Sequence, residues 1–401
     1  MKTTPDGINA AMKKLLIMLS VCVLAAACND IVTYKTDYPD RFTNDGAPVI
    51  EAVYDIHDGE METPLTEGAL AQFIHIVGKN LANPLSVSFN GIDAELDKCY
   101  CENENSYILI PRVMPDVMSN SLVYRTAQGS VSIDFEISVP QLVLTGLANE
   151  FAHAGSTVKV AGDYFDLYGF GREGSGASIT IYGDPVEVSS IDQNGLYIVI
   201  PEGTPDQTLI TFKWNDIKLG PQTKNIPFRD TSHLFFGNFA TTGFWSPALA
   251  STILTDGTGE GDPESPGYKF LRFNNTYSGW TWNSLGMGDD WNYEVPEDWT
   301  SWIFKFELWT NPAKPLPAYN AAGNQGLLVQ IELKTNVALD LGGTAFNTGG
   351  EWVTLSFPLS QVASELPPQG DYLDFAFTIQ PPTDWDVDFA VANFRIEPEN
   401  Y

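Results

Sequence analysis

A repeated strand pattern in the first half of the chain restricts what it can fold into. Phe73-Ile-His-Ile-Val-Gly78-Lys-Asn-Leu81 matches Thr157-Val-Lys-Val-Ala-Gly162-Asp-Tyr-Phe165 in register on the glycine. Val87-Ser-Phe89-Asn90-Gly91 matches Ile179-Thr-Ile181-Tyr182-Gly183, and Ser106-Tyr107-Ile-Leu-Ile-Pro111 matches Leu196-Tyr197-Ile-Val-Ile-Pro201. The glycine and proline are 33 residues apart in the first copy and 39 in the second. The extra residues fall in the Gly-rich stretch Gly169–Gly176, a loop-tip insertion of the tolerated kind. Short alternating strands separated by Gly, Asn, Asp and Pro run from Pro48 onward, with no long amphipathic helix. The chain is therefore expected to be all-β. Each copy has about 90 residues, the size of an immunoglobulin-like sandwich.

The strand ending in glycine, the "FNG" or "IYG" strand end and the "I-x-I-P" strand resemble IPT/TIG domains. The resemblance covers residues 47–140 and 141–230. It implies an immunoglobulin-like fold and, on a surface protein, the role of a spacer. Fold alone does not assign a function.

The N-terminus is read as a targeting segment and set aside from the fold. Lys13 and Lys14 precede the apolar run Leu15–Leu24, which is too short to span a membrane. Ala25-Ala26-Ala27-Cys28 follows and resembles a bacterial lipoprotein signal, which implies that residues 1–27 are removed and Cys28 is lipidated. An ordinary secretory signal cut nearby is the alternative. Residues 28–46 are polar, lack apolar periodicity and read as a tether. Residues 1–27 hold three lysines and one aspartate, so their removal takes the net charge from −30 to −32. That balance argues against nucleic acid and against anionic membrane as partners, and leaves the lipid as the membrane tie. Cys99 and Cys101, in C-x-C spacing, read as structural. The histidines at 57, 75, 153 and 233 are scattered, so neither metal nor cofactor is expected. Asp256-Gly-Thr-Gly-Glu-Gly-Asp262 reads as a solvated turn in preference to a calcium loop.

Composition changes abruptly after Asp230. Nine of the ten tryptophans lie between Trp245 and Trp385. Candidate strands at 268–273, 279–284, 302–309, 327–333, 352–358, 373–379 and 389–397 predict a third, larger domain over 231–401, a jelly-roll-like β-sandwich. The runs Phe304-Lys305-Phe306-Glu307, Trp352–Pro358 and Asp388–Ile396 resemble strands of carbohydrate-binding sandwiches. Lipoprotein signal, tandem IPT/TIG modules and Trp-rich terminal sandwich together resemble the surface glycan-binding proteins of Bacteroidetes polysaccharide-utilisation loci. The likeness is to the second, non-SusD-like binding protein, with its xyloglucan-binding domain. The resemblance implies a non-catalytic outer-membrane lipoprotein that holds a β-glucan, xyloglucan or mixed-linkage β-glucan above others, beside a SusC/SusD-like transporter pair.

Tryptophan is either a core anchor or an exposed stacking platform. Alternation along 302–309 puts Trp302, Phe304, Phe306 and Leu308 on a core face, and Lys305, Glu307 and Trp309 on a polar one. Gln330 points outward from its strand in the same way, and the two outer rows form one surface if their strands are neighbours. Trp280 and Trp282, two apart on an expected strand, suit two ring contacts along a glycan, with Asn283 as a polar partner. Trp291, with Tyr293, sits in an expected Gly/Asp-rich loop, and Trp385 in an expected turn. The candidate glycan-binding residues are thus Trp280, Trp282, Trp291, Trp309 and Trp385, with Asn283, Tyr293, Gln330 and Glu307 as secondary ones. Trp299 and Trp352 read as scaffold, and Trp245 is undecided. No Ser/His/Asp order, phosphate loop or metal-ligand cluster marks an enzyme. An adhesin or structural surface protein is the alternative class, followed by a glycoside hydrolase.

Overall fold

The computed structural model describes residues 41–192, 195–237, 239, 242–290, 297–368 and 370–399. Cys28, the segment expected to be a signal, most of the expected tether, Trp291 and Tyr293 lie outside them. The chain divides into two compact units, Met1–Ser138 and Val139–Tyr401.

The first unit contains β1 (Val49–Asp55), β2 (Glu67–Ala69), β3 (Phe73–Lys79), β4 (Ser86–Phe89), β5 (Ile92–Asp93), β6 (Tyr100–Cys101), β7 (Asn105–Leu109), β8 (Ser121–Thr126), β9 (Gly129–Asp134) and β10 (Glu136–Ser138). Its four-stranded sheets run β1-β3-β7-β6 and β5-β4-β8-β9, and β2 pairs in parallel with β10. Every second residue turns inward: Ile74, Ile76, Val87, Phe89, Ile108, Leu122 and Tyr124 are buried.

The second unit begins with β11 (Val143–Leu147), β12 (Thr157–Asp163), β13 (Ser178–Ile181), β14 (Asp184–Pro185), β15 (Glu187–Asp192), β16 (Gly195–Val199), β17 (Thr208–Asp216) and β18 (Gly220–Phe228). Their sheets run β11-β12-β16-β15 and β14-β13-β17-β18, the strand order of the first unit. The shared glycine has a physical cause. Ile50 pairs with Gly78 and Leu144 with Gly162, each beside a β-bulge. The bulge brings a carbonyl onto the glycine: a Cβ would lie 1.9 Å from the Val49 oxygen at Gly78, and 2.0 Å from the Val143 oxygen at Gly162. The "FNG" and "IYG" ends are hairpin turns, with positive φ at Asn90, Gly91, Tyr182 and Gly183.

The rest of the unit holds β19 (Gly243–Phe244), α1 (Pro247–Ile253), β20 (Leu254–Thr255), β21 (Phe270–Tyr277), β22 (Asn283–Asp290), β23 (Trp302–Thr310), β24 (Gly326–Ile331), β25 (Val337–Ala338), β26 (Val353–Pro358), α2 (Leu359–Val362), β27 (Tyr372–Gln380) and β28 (Trp385–Pro398). Two five-stranded sheets, β19-β22-β27-β24-β25 and β20-β21-β28-β23-β26, enclose an aromatic core. Phe304, Phe306, Phe375 and Phe394 touch one another at its centre. In β28 a bulge near Asn393, whose φ is positive, shifts the alternation by one. Val387, Phe389 and Val391 point inward before it, and Phe394 and Ile396 after it. Arg395 and Glu397 are thereby turned onto the opposite face.

Three expectations about this domain are corrected. The strand expected at 279–284 begins at Asn283 and continues through Gly286–Asp290, the stretch read as a loop. The last strand starts at Trp385, not at Phe389. Strands β23 and β24 belong to different sheets, so the outer rows carrying Glu307 and Gln330 do not join.

The outer face of β23 and β28 is covered by residues of the β11–β12 loop. Arg395 donates to Glu150 Oε2 at 2.6 Å and to Glu307 Oε2 at 3.0 Å, and Lys305 donates to Glu150 at 2.8 Å and pairs with Glu397. Arg229 braces the same junction, donating from Nη1 to the carbonyls of Phe151, Ala152 and Pro266.

Candidate functional site

Among the described residues three tryptophans are exposed: Trp280 at 69%, Trp282 at 49% and Trp245 at 47%. They lie at one edge of the C-terminal sandwich. Trp280 and Trp282 sit in the turn between β21 and β22, and Trp280 has a φ of 64°, so they are not strand neighbours on one face. The turn is fixed by the β27–β28 turn beside it. Trp280 N donates to Pro381 O at 2.8 Å, and Gly279 N donates to Asp384 Oδ1 at 2.8 Å. A Cβ on Gly279 would meet Thr383 Cα at 3.0 Å, which keeps the two turns in close contact. Asn283 Nδ2 donates to Thr281 Oγ1 at 3.1 Å from below. Two large rings are thus held outward on an ordered turn.

Trp245 reaches the same edge from β19. Its N–H donates to Gly286 O at 3.0 Å, which continues the β19–β22 pairing. Its ring covers Gly286, where a Cβ would meet Trp245 Cε3 at 2.3 Å. Gly288, two residues on, is covered in the same way by Tyr372, at 2.0 Å. The glycines that make β22 read as a loop leave room for these rings. Leu285 and Met287 fill the core on the other side of the strand. Gly286, under the Trp245 ring, is four residues along the chain from Trp282.

A cleft of about 560 Å³ adjoins Trp282, between the edges of β21 and β22. Asn274, Asn275, Tyr277, Asn283 and Ser284 line it with Trp282, and Leu249 and Thr252 of α1 form another part of the wall. Burial raises the Tyr277 phenol to about 12, so it is neutral at physiological pH. The one carboxylate among the lining residues is Asp262, which Arg272 holds at 2.8 Å. Burial alone would raise the Asp262 carboxyl, but hydrogen bonds from Thr255 and Arg272 keep it below the usual range. Arg272 also grips Asp388 through two bonds of 2.9 Å. Asp262 is bound into its own loop as well, accepting from Thr255 Oγ1 and Gly259 N. The cleft therefore offers amides, hydroxyls and aromatic faces with its charges already paired. Such a surface is chemically suited to a neutral polyol, whose hydroxyls both donate and accept. Glycoside hydrolysis needs two carboxylates flanking the bond.

The remaining sequence candidates fall elsewhere. Gln330 is half-buried on the outer face of β24; its neighbour across β27 is Ala376, which pairs with Gly286 beneath Trp245. Trp309 points outward from β23 as alternation predicts, but is buried against Phe270 and Trp352, with Nε1 donating to Gly350 O at 2.7 Å. Glu307 is fully buried and bound to Arg395. Trp385 is 1% exposed, paired opposite Tyr277 at the start of β28 and packed on Tyr319. Burial removes these three from the candidate surface. Trp245, which the sequence leaves undecided, is exposed, and small residues at alternate positions of a strand, Gly286 and Gly288, are the signal that marks its place.

Three exposed tryptophans thus stand near a polar cleft whose charges are paired. Residues 228–398 match the family model described as surface glycan-binding protein B xyloglucan binding domain. The match covers the C-terminal domain and no residue of either repeated sandwich before Phe228. Solved structures similar to the chain include the surface glycan-binding protein PbSGBP-B from Prevotella bryantii, at 17% identity, covering 89% of this chain and 100% of that one, with a TM-score of 0.49. Another is SGBP-B from a complex xyloglucan utilization locus in Bacteroides uniformis, at 17% identity, 88% and 99% coverage and a TM-score of 0.44. A third is the Bacteroides ovatus mixed-linkage glucan utilization locus SGBP-B in complex with a mixed-linkage heptasaccharide, at 14% identity, 81% and 72% coverage and a TM-score of 0.29. No curated protein sequence matches the chain.

Proposed function

We propose that this protein captures a β-glucan-class polysaccharide, xyloglucan or mixed-linkage β-glucan, at the bacterial cell surface. The observation that carries the reading is the exposure of Trp245, Trp280 and Trp282 together at one edge of a domain that matches the glycan-binding family model. Each ring contributes by stacking on a sugar face, and the amides of the adjoining cleft orient the hydroxyls. By analogy with base stacking, each platform is worth about 1–3 kcal/mol. Two or three of them, after ordering costs, correspond to micromolar to millimolar affinity.

In this reading Cys28 carries the lipid that ties the chain to the outer membrane, and residues 28–46 are the tether. Residues 47–140 and 141–230 are IPT/TIG-type spacers, and 231–401 is a jelly-roll-like binding domain. The captured glycan passes to a SusC/SusD-like pair. Calorimetric titration of the soluble mature chain with xyloglucan and mixed-linkage β-glucan tests the reading. Binding without release of reducing sugar is expected; no binding to either polymer contradicts it.

A further inference from the structure

Within the second unit, the β11–β18 sandwich and the C-terminal domain meet along a cleft of about 660 Å³. Asn149, His153, Lys159 and Tyr197 line it from the sandwich, and Glu264 and Glu351 from the C-terminal domain. Clefts of this size between domains are common ligand sites.

The walls are fixed to each other by buried bonds. Arg229 Nη1 donates to Phe151 O at 2.8 Å in one wall and to Pro266 O at 3.0 Å in the other. Glu150 accepts from Lys305 at 2.8 Å and from Arg395 at 2.6 Å, and Thr354 N donates to Ala148 O at 2.8 Å. The cleft is therefore preformed, and a ligand entering it does not bear the cost of bringing the domains together.

Lys159 and Tyr197 are cross-strand partners on the outer face of β12 and β16. The ring of Tyr197 is partly exposed into the cleft. Lys159 and the Asn149 amide donate hydrogen bonds, whereas Glu264 and Glu351 accept them. A ligand with net charge of either sign meets groups that repel it. A neutral polyol uses both sets, because each hydroxyl donates and accepts, and it can lay a ring face on Tyr197.

We propose that this junction cleft is a second carbohydrate-binding site, taking a short neutral stretch of oligosaccharide. It is separate from the tryptophan edge and does not depend on the reading of that edge. Two sites on one braced unit would hold a long polysaccharide more tightly than either alone.

The test starts from the mature chain carrying Trp245→Ala, Trp280→Ala and Trp282→Ala. This variant is titrated calorimetrically with xyloglucan oligosaccharides and mixed-linkage β-glucan oligosaccharides. Weak residual binding is expected, reduced roughly tenfold by adding Tyr197→Ala and reduced also by Glu351→Gln, with the melting temperature unchanged. No residual binding overturns the proposal, as does residual binding that neither added substitution alters. Failure of the tryptophan-edge reading would look different: the triple variant would then bind as strongly as the unaltered chain.

Discussion

At the scale of single residues, the tryptophans separate into rings that face solvent and rings that face protein. Replacing Trp245, Trp280 or Trp282 with alanine is expected to weaken glucan binding by about 1–3 kcal/mol each, with little change in melting temperature. Trp309→Ala and Trp385→Ala are expected to cost about 3–5 kcal/mol of stability instead, because each empties a packed volume. Titration and thermal melts on the same five variants check the division. Gly286 offers a finer test. A methyl there would strike the Trp245 ring at 2.3 Å, so Gly286→Ala should move that ring and weaken binding about as much as Trp245→Ala does. Equal affinity in Gly286→Ala and the parent chain would show that the ring's position is unimportant. The direction in which Trp309 points was legible in the sequence, since alternation fixes it. What lies over it was not, because its cover comes from the distant Gly350 and Trp352.

At the scale of elements, the repeat was legible because one glycine recurs for a steric reason. Gly78→Ala and Gly162→Ala each force a Cβ onto a carbonyl oxygen at about the same distance. Each is expected to destabilise its own sandwich by about 2–4 kcal/mol, as is usual where a close backbone approach is blocked. Chemical denaturation of the two variants checks this, and a neutral Gly162→Ala would contradict the account of the bulge. The same reasoning failed at β22. Glycine weakens an isolated strand, so Leu-Gly-Met-Gly-Asp-Asp reads as a loop. Gly286 and Gly288 are tolerated there because Trp245 and Tyr372 lie over them. The pattern therefore places the tryptophan pair at 280 and 282 on a strand, whereas it belongs to the preceding turn. Trp385 was misplaced for a related reason: the Pro381-Pro382 turn ends sooner than its composition implies, and β28 already begins at Trp385.

At the scale of the molecule, the junction within the second unit depends on a buried charge cluster. Burial raises the Glu307 carboxyl to about 7 against the opposing pull of Arg395. Burial also acts on Glu150, but Arg395 and Lys305 outweigh it and hold that carboxyl below its usual range. The ordinary value for a glutamate carboxyl is 4.5. Between that pH and about 7 the folded chain keeps a proton that the unfolded chain releases, so this group's contribution to stability falls as pH rises through the window. Glu307→Gln removes the dependence. Its stability relative to the parent should rise by on the order of 1–3 kcal/mol from pH 4.5 to 7.5. Denaturation curves that stay parallel across that range would contradict the assignment.

The central claim is that the tryptophan edge of the C-terminal domain holds the glycan. Calorimetric titration of the mature chain with a xyloglucan oligosaccharide, compared with the Trp245→Ala, Trp280→Ala, Trp282→Ala variant, tests it most directly. The account predicts a measurable affinity that falls by at least about a hundredfold in the folded variant. Undiminished binding in that variant would contradict it.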